Sequence, residues 1–389
     1  MQSMYFTEEH RLFRESLKDF LQKEVVPHIE KWEAVGTIEK FIWKKFGEMG
    51  YFGLATSEAY HGLGLDLFYT VILLEELQKI NSGGFAAAIW AHAYLAMTHL
   101  NKNANDSQKK KYLIPSVNGD KVGCLGVTEP FGGSDVAGMR TTATKNGDVY
   151  IVNGSKTFIT NGVYGDYCIL AAKTDPSAGN KGISLFIVDL DSAGVSSNKL
   201  NKLGWRASDT AELAFDNVEV PVENRIGVEG KGFTFIMEAF ALERLIMGVN
   251  AHARAEFAID YTLQYMSERE TFGKQIDQYQ ALRHRMVDMH ADMEMCKQYN
   301  YAVIAKMDKG EYVVREATIS KLKSTKMADE VIYNCLQFLG GYGYIEDYPL
   351  ARMLRDSRLG PIGGGTSEIL REIIAKIIID KKEYRAPKS

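Results

Sequence analysis

The sequence contains little cysteine and no cysteine pattern. Its four cysteines are scattered over 389 residues without the spacing of a metal site or a disulfide framework (Cys124, Cys168, Cys296 and Cys335). Such usage favours a reducing compartment. The chain also shows no apolar run typical of a signal peptide or a membrane-spanning helix, so we expect a soluble, cytoplasmic protein without a membrane partner.

Several common functional signatures are missing as well. The net charge is −4 and no long basic run is present, so nothing indicates a nucleic-acid partner. No HExxH, no CxxC and no GxGxxG after a strand occurs, and "GGGTSE" lacks the lysine of a P-loop. We therefore expect neither a metal site nor nucleoside-triphosphate chemistry.

The hydrophobic pattern changes twice along the chain. Residues 1–120 show helical spacing, residues 121–230 read as strands, and residues 231–389 are helical again. Asn153-Gly154 and Asn161-Gly162 are typical of hairpin turns within the strand region. The pattern predicts an α+β protein with an N-terminal helical domain, a central antiparallel β-domain and a C-terminal helical bundle.

Residues 360–371, "GPIGGGTSEILR", place three glycines immediately before a predicted helix. Thr366 or Ser367 is the expected N-cap of that helix. Glycine in series is costly in conformational entropy and marks a special φ value or the close approach of another group. A ligand at the helix start and a plain tight turn both explain the segment.

Five motifs occur in order along the chain: "VTEPFGGSDVAGM", "FITNG", "RETFGK", "QFLGGYGY" and "GGGTSEILR". Together with the order of helices and strands, they closely resemble the acyl-CoA dehydrogenase family of flavoproteins, over essentially the whole chain. The resemblance implies FAD as cofactor, an acyl-CoA substrate, an electron-transferring flavoprotein as electron acceptor, and a homotetramer.

The resemblance also implies which residues hold FAD. Those near the flavin ring are Leu125, Val127, Thr128, Phe158, Ile159 and Thr160, with Ser134 by the flavin or pantetheine phosphate region. Those at the adenine and pyrophosphate end of a neighbouring subunit's FAD are Arg269, Thr271, Phe272, Gln280, Gln337, Gly340 and Gly341. The site is completed by Gly365, Thr366, Ser367 and Glu368. Phe158 and Leu125 depart from the tryptophan and tyrosine of many members, and both keep an apolar wall.

The expected catalytic base is missing from the glycine segment. Many relatives read "YEGT" there and use its glutamate to remove the substrate α-proton, whereas this chain has Gly364. Glu243 is the candidate replacement, because it shares an apolar helical face with Ile236 and Met247. Burial would raise its pKa toward neutrality, as a general base needs. A structural ion pair with Arg244 is the alternative interpretation.

The isovaleryl-CoA and long-chain branches of the family place the base on this helix and a small residue in the loop. The resemblance therefore implies α,β-dehydrogenation of an acyl-CoA, with Glu243 as base. The implied substrate contacts are Ser134, Ala241, Leu242, Arg244, Gly363 and Gly364. An oxidase, a flavin enzyme acting on nitroalkanes or carrier-bound acyl groups, and a non-catalytic flavin- or CoA-binding homologue remain alternatives.

Overall fold

The computed structural model describes residues 4–382 and begins with a helical region. Its helices are α1 (Glu8–Glu24), α2 (Ile29–Val35), α3 (Lys40–Glu48), α4 (Leu67–Lys79), α5 (Gly83–Trp90), α6 (Met97–Asn103), α7 (Asp106–Gln108) and α8 (Ile114–Val117). A π-helical stretch, Ala91–Ala96, joins α5 to α6, and a second, Lys109–Leu113, joins α7 to α8. The helices α4 and α5 are buried along most of their length, and α4 packs against both α1 and α5.

Local sequence explains where α1 begins and which face it buries. The hydroxyl of Thr7 caps the helix by accepting from the His10 backbone N–H, so the helix starts at the next residue. Leu17 and Leu21, spaced four residues apart, are buried on one face. The helix ends at Glu24, before the turn that contains Pro27.

The middle of the chain forms an eight-stranded sheet within the described residues. The strands are β1 (Gly123–Gly126), β2 (Thr142–Asn146), β3 (Val149–Thr160), β4 (Tyr167–Lys173), β5 (Ile183–Asp189), β6 (Val195–Lys199), β7 (Thr210–Pro221) and β8 (Arg225–Ile226). Their order is β6-β7-β3-β2-β4-β5-β8, with β1 beside β4. Most neighbours are antiparallel, as predicted, but β1 and β2 both pair in parallel with β4.

Neither of the two predicted hairpin turns joins a pair of neighbouring strands. Asn153 and Gly154 lie inside β3, at a bulge where the register with β7 shifts, and not at a turn. The hairpin between β2 and β3 turns instead at Gly147, whose φ of 60° suits glycine. Asn161, with a φ of 64°, begins a turn after β3, but the next strand, β4, does not pair with β3, so this turn is not a hairpin turn either.

The described residues after the sheet are mostly helical. The helices are α9 (Gly232–Glu268), α10 (Gln280–Asp308), α11 (Val314–Phe338), α12 (Pro349–Ser357) and α13 (Ser367–Ile378), with a small hairpin of β9 (Glu270–Thr271) and β10 (Lys274–Gln275) after α9. The 37-residue α9 packs against α4, α10 and α11, so it forms the centre of the helical core. This architecture confirms the predicted α+β class. No helix within residues 4–382 has the length and apolarity needed to cross a membrane.

Candidate active site

The glycine segment forms the loop between α12 and α13. Thr366 is the N-cap of α13, and its hydroxyl accepts from the Ile369 N–H at 3.3 Å. Gly364 and Gly365 have φ values of 61° and 92°, which side-chain-bearing residues rarely adopt. Among residues 4–382, no acceptor pairs with the N–H groups of these two glycines, so both are available to a bound molecule.

Glu243 of α9 occupies the space next to this loop. Its Oε1 lies 3.2 Å from the position that a β-carbon would have at Gly364. The same β-carbon would overlap the sulfur of Met247, one helical turn further along α9. A side chain at residue 364 and the carboxylate from α9 therefore compete for one space, and the chain places the carboxylate there.

Burial controls the protonation of Glu243. The side chain is 8% exposed, and its desolvation raises its pKa to about 7, although the positive charges of Arg244 and Lys321 act in the opposite direction. Arg244 is also buried and donates to the hydroxyl of Thr318 at 3.4 Å. A carboxylate with a pKa near neutrality can accept a proton at physiological pH and release it again.

Lys321 of α11 was not predicted and is the main addition to the site. It is fully buried, and its Nζ donates to the carbonyl of Gly365 at 2.6 Å, which ties the glycine loop to α11. Desolvation lowers its pKa to about 8, while Glu243 raises it. The available sequence signal was its position four residues after Ala317 and seven before Ala328, both of which are buried on the same helical face.

A second group of predicted residues lies on the β-domain. The Phe158 ring is 69% exposed at a φ of 61°, close in sequence to the half-buried Thr160. Thr128 is half-buried in the loop after β1, and the carbonyl of Val127 accepts from the Lys156 Nζ at 3.2 Å. The remaining members differ in exposure: Leu125 is half-buried, Ile159 is buried and Ser134 is exposed.

A buried ion pair, also not predicted, holds this face together. Lys156 of β3 lies 2.8 Å from the carboxylate of Glu129, and both side chains are almost completely buried. Glu129 also accepts from the backbone N–H groups of Arg140 and Thr141. The pair therefore fixes the 127–141 loop against the sheet, because breaking it would leave a buried charge unpaired.

A third group of predicted residues lines a cavity of about 430 Å³ at the end of α11: Arg269, Thr271, Gln337, Gly340 and Gly341. Gly340 and Gly341 leave their backbone open, since a β-carbon there would contact nothing within 4 Å. Phe272 and Gln280, which were predicted with this group, do not line it. Gln337 follows Lys321 by 16 positions on α11, so this cavity lies roughly 24 Å along the helix from Lys321.

The other predicted contacts are distributed around α9 and α13. Ala241 and Leu242 line a cavity of about 660 Å³ between α9 and the N-terminal helices. Gly363 and Ser367 are half-buried in and after the glycine loop, and the exposed Glu368 pairs with Arg371 at 3.2 Å. Within residues 4–382, no group of three or more His, Cys, Asp or Glu side chains could hold a metal ion.

Matches to known protein families cover nearly the whole chain. The N-terminal, middle and C-terminal domain models of acyl-CoA dehydrogenases match residues 7–120, 124–218 and 230–379. Mitochondrial isovaleryl-CoA dehydrogenase of Arabidopsis thaliana is 37% identical over 96% of this chain and 92% of that protein. Mitochondrial long-chain specific acyl-CoA dehydrogenase of Sus scrofa is 35% identical, over 97% and 88% respectively.

Solved structures give the same result. An acyl-CoA dehydrogenase from Geobacillus kaustophilus superimposes with a TM-score of 0.95 and 38% identity, covering 97% of this chain and all of that one. A glutaryl-CoA dehydrogenase from Mycobacterium smegmatis, solved in complex with FADH2, has a TM-score of 0.91 and 27% identity, over 98% and 97%. The chain belongs to the acyl-CoA dehydrogenase family of FAD-dependent oxidoreductases.

Proposed function

We propose that this protein dehydrogenates an acyl-CoA thioester to the trans-2-enoyl-CoA, with Glu243 as the base that removes the α-proton. One observation carries the proposal: the buried Glu243 carboxylate lies beside Gly364, in a loop whose N–H groups are available. The base and the donors that would polarise the substrate thus lie on two sides of one space.

The backbone of the glycine loop supplies the activation that an α-proton needs. A C–H bond next to a thioester is a weak acid unless the carbonyl oxygen is stabilised as negative charge develops on it. The Gly364 N–H is the donor that we assign to this oxygen. Water exclusion strengthens such a hydrogen bond, and the burial of Glu243 supports a site of low polarity.

Glu243 then holds the proton at its carboxylate. Its pKa of about 7 makes the ionised form accessible at neutral pH and makes the protonated form stable after transfer. The charges of Arg244 and Lys321 keep the ionised form from becoming too unfavourable. A bound FAD would supply the acceptor for the hydrogen that leaves the β-carbon with its electron pair.

The two other groups of residues fit the cofactor. An exposed aromatic ring at Phe158 beside polar Thr128 and Thr160 suits a flavin ring. The 430 Å³ cavity, with the cation of Arg269 and the open backbone of Gly340 and Gly341, suits a phosphate-bearing nucleotide. Its distance along α11 from Lys321, which lies at the glycine loop, supports its use for the FAD of a neighbouring subunit in a homotetramer.

The substrate and the acceptor follow from relatives. The matched isovaleryl-CoA and long-chain specific enzymes carry those substrates in their names, and we extend an acyl-CoA substrate to this chain. We assign its contacts to Ser134, Ala241, Leu242, Arg244, Gly363 and Gly364. An electron-transferring flavoprotein is the proposed acceptor, and a location in the cytoplasm remains part of the proposal.

The test is an anaerobic mixture of the FAD-loaded protein with a panel of acyl-CoA thioesters, followed by the absorbance of oxidised flavin. Glu243→Gln is run beside the wild type. We expect the wild type to bleach with one class of chain, and the variant to bind that thioester without bleaching. Bleaching of the variant at the wild-type rate would show that another group is the base. Rapid reoxidation of the reduced wild type by air would identify an oxidase.

A further inference from the structure

A small cavity lies beyond Glu243 along the same face of α9. Met247, Asn250 and Arg254 follow Glu243 by 4, 7 and 11 residues and line one wall of this cavity, which we call the distal chamber. Trp90 of α5 and Trp205 of the loop before β7 form the opposite wall and contact each other edge to face. Met247 separates the chamber from the glycine loop.

The chamber is small but large enough for a polar atom. Its volume is about 30 Å³, which is the space of one or two non-hydrogen groups. Asn250 lies seven residues from Glu243, or about 10 Å along the helix axis. This distance matches that of a group attached several carbons beyond the thioester when the α-carbon lies at Glu243, and the flexible Met247 side chain is the group that must move to let the acyl chain pass.

A chain of hydrogen bonds fixes the orientation of the Asn250 amide. Arg254 can only donate, and its Nε and Nη2 both bond to Gln78 Oε1, at 3.1 and 2.7 Å. Gln78 must then direct its Nε2 toward Asn250, whose Oδ1 accepts at 2.7 Å. The Nδ2 of Asn250 is consequently left as a donor at the chamber wall.

Two buried donors at this wall have no protein partner in the described chain. Nδ2 of Asn250, whose residue is 7% exposed, and Nε1 of Trp205 both lack an acceptor among residues 4–382. Buried polar groups in native proteins are normally paired, and these two donors share one cavity, so a single acceptor from outside residues 4–382 could pair with both. Both donors belong to residues that line the chamber.

The other polar groups of the wall are engaged. The two carboxylate oxygens of Asp356 accept from the backbone N–H groups of Trp205, at 2.6 Å, and Gly83, at 2.9 Å. The hydroxyls of Thr325 and Ser357 donate to backbone carbonyls. Because Arg254 and Asp356 carry opposite charges at one chamber, a neutral acceptor suits it better than an anion does.

We propose that the distal chamber binds a neutral oxygen, a hydroxyl or a carbonyl, carried far along the acyl chain of the substrate. This inference rests on the proposed function and narrows its substrate class to chain-oxygenated acyl-CoA thioesters. Asn250 and Trp205 are the specificity-determining residues. They act on substrate choice and take no part in proton abstraction.

The experiment compares pairs of acyl-CoAs of equal length, with and without a hydroxyl or keto group near the chain end, over a series of lengths. The measured quantity is the ratio of kcat/KM for the oxygenated and plain members. In the wild type we expect this ratio to reach about tenfold at one length. Asn250→Leu, which keeps the volume and removes the amide, should lower it to about one or below.

Trp205→Phe tests the second donor while keeping a ring against Trp90, and should reduce the ratio about threefold or more. Trp43→Phe is the matched control, because Trp43 Nε1 is also buried without a protein partner but does not line the chamber. That control should leave the ratio unchanged. Flavin content and melting temperature, measured for each variant, show whether it has folded.

Three results would overturn the assignment. Plain chains that are equal or better at every length would mean that the chamber holds water only. A ratio unaffected by both chamber variants would show that the donors do not contact the substrate. Preference for a carboxylate-ended chain would contradict a neutral ligand. Failure of the proposed function is seen separately, as absence of flavin bleaching by every thioester, and would remove this inference with it.

Discussion

The carboxylate of Glu243 lies in the space that a side chain at Gly364 would need, 3.2 Å from the missing β-carbon position. The two residues come from elements more than a hundred positions apart in the chain. The absence of one side chain and the presence of the other are therefore two parts of one arrangement. A loop that donates backbone N–H groups is combined with a carboxylate that comes from a buried helix.

Gly364→Ala should reduce activity strongly, and Gly363→Ala, at a proposed substrate contact that involves only the backbone, should not. An alanine at residue 364 would have a φ of 61°, at a cost of about 1 kcal/mol, and would press on Met247 and Glu243. At residue 363 a β-carbon meets nothing closer than 3.7 Å. We expect a loss of kcat/KM of about tenfold or more for the first variant only. Equal losses in both would show that any change in the loop is harmful.

Lys321→Met should shift the acid limb of the kcat/KM–pH profile to higher pH. Removing this positive charge makes ionisation of Glu243 less favourable, so the pKa of the base rises above about 7. We expect a shift of roughly half a pH unit or more. Lys323→Met, an exposed position on the same helix, is the control and should not move the limb. Unchanged pH profiles in both variants would show that Lys321 only anchors the Gly365 carbonyl and does not affect the pKa of Glu243.

Glu243→Gln should stabilise the protein at pH 8 and have little effect at pH 5. The pKa of Glu243 is about 7 in the folded chain and 4.5 ordinarily, so the folded state keeps a proton that the unfolded state releases. The free energy of unfolding of the wild type therefore falls, by up to roughly 3 kcal/mol, as pH rises from the ordinary pKa to the folded-state pKa. It stays at this lower value at higher pH. Melting curves at both pH values, at equal FAD content, measure this. Equal destabilisation at both would contradict burial as the cause.

Phe272→Ser should weaken assembly and the retention of FAD. Phe272 is 98% exposed at the tip of the β9–β10 hairpin, with a φ of 50° that bulky residues rarely adopt. In the proposed homotetramer this ring is covered by a neighbouring subunit. For the variant we expect a lower molecular mass by sedimentation equilibrium. We also expect a lower FAD-to-protein ratio after gel filtration. Val228→Ser is the control, because Val228 is also an exposed apolar residue but carries no aromatic ring. A wild type that is monomeric and retains FAD would contradict the assembly.

The sequence allowed the order of helices and strands to be predicted because each region has its own hydrophobic period. It also placed Glu243 on a buried face of α9, since Ile236 and Met247 share that face. The parallel pairing of β1 and β2 with β4 could not be predicted, because it depends on contacts between distant segments. The turn assigned to Asn153-Gly154 failed because the same dipeptide suits a strand bulge.

Lys321 was overlooked for a physical reason. The segment "SKLKSTK" contains three lysines on a helix, a pattern that is typical of a solvated surface. Only the packing of α11 against α9 shows that one of them is buried and bonded to Gly365. The distal chamber was equally inaccessible to sequence reasoning, since its walls come from α5, α9, α11, α12 and the loop before β7.

Because α9 runs without a break, it fixes the distance between the catalytic base and the distal chamber. Glu243, Met247 and Asn250 lie on one unbroken helix, so the distances between them along its axis are set by a fixed rise per residue. The number of residues between Glu243 and Asn250 should then determine which position along the acyl chain is preferred for the substrate oxygen. Moving the amide by one helical turn along α9 would move that preference by about 5 Å along the acyl chain.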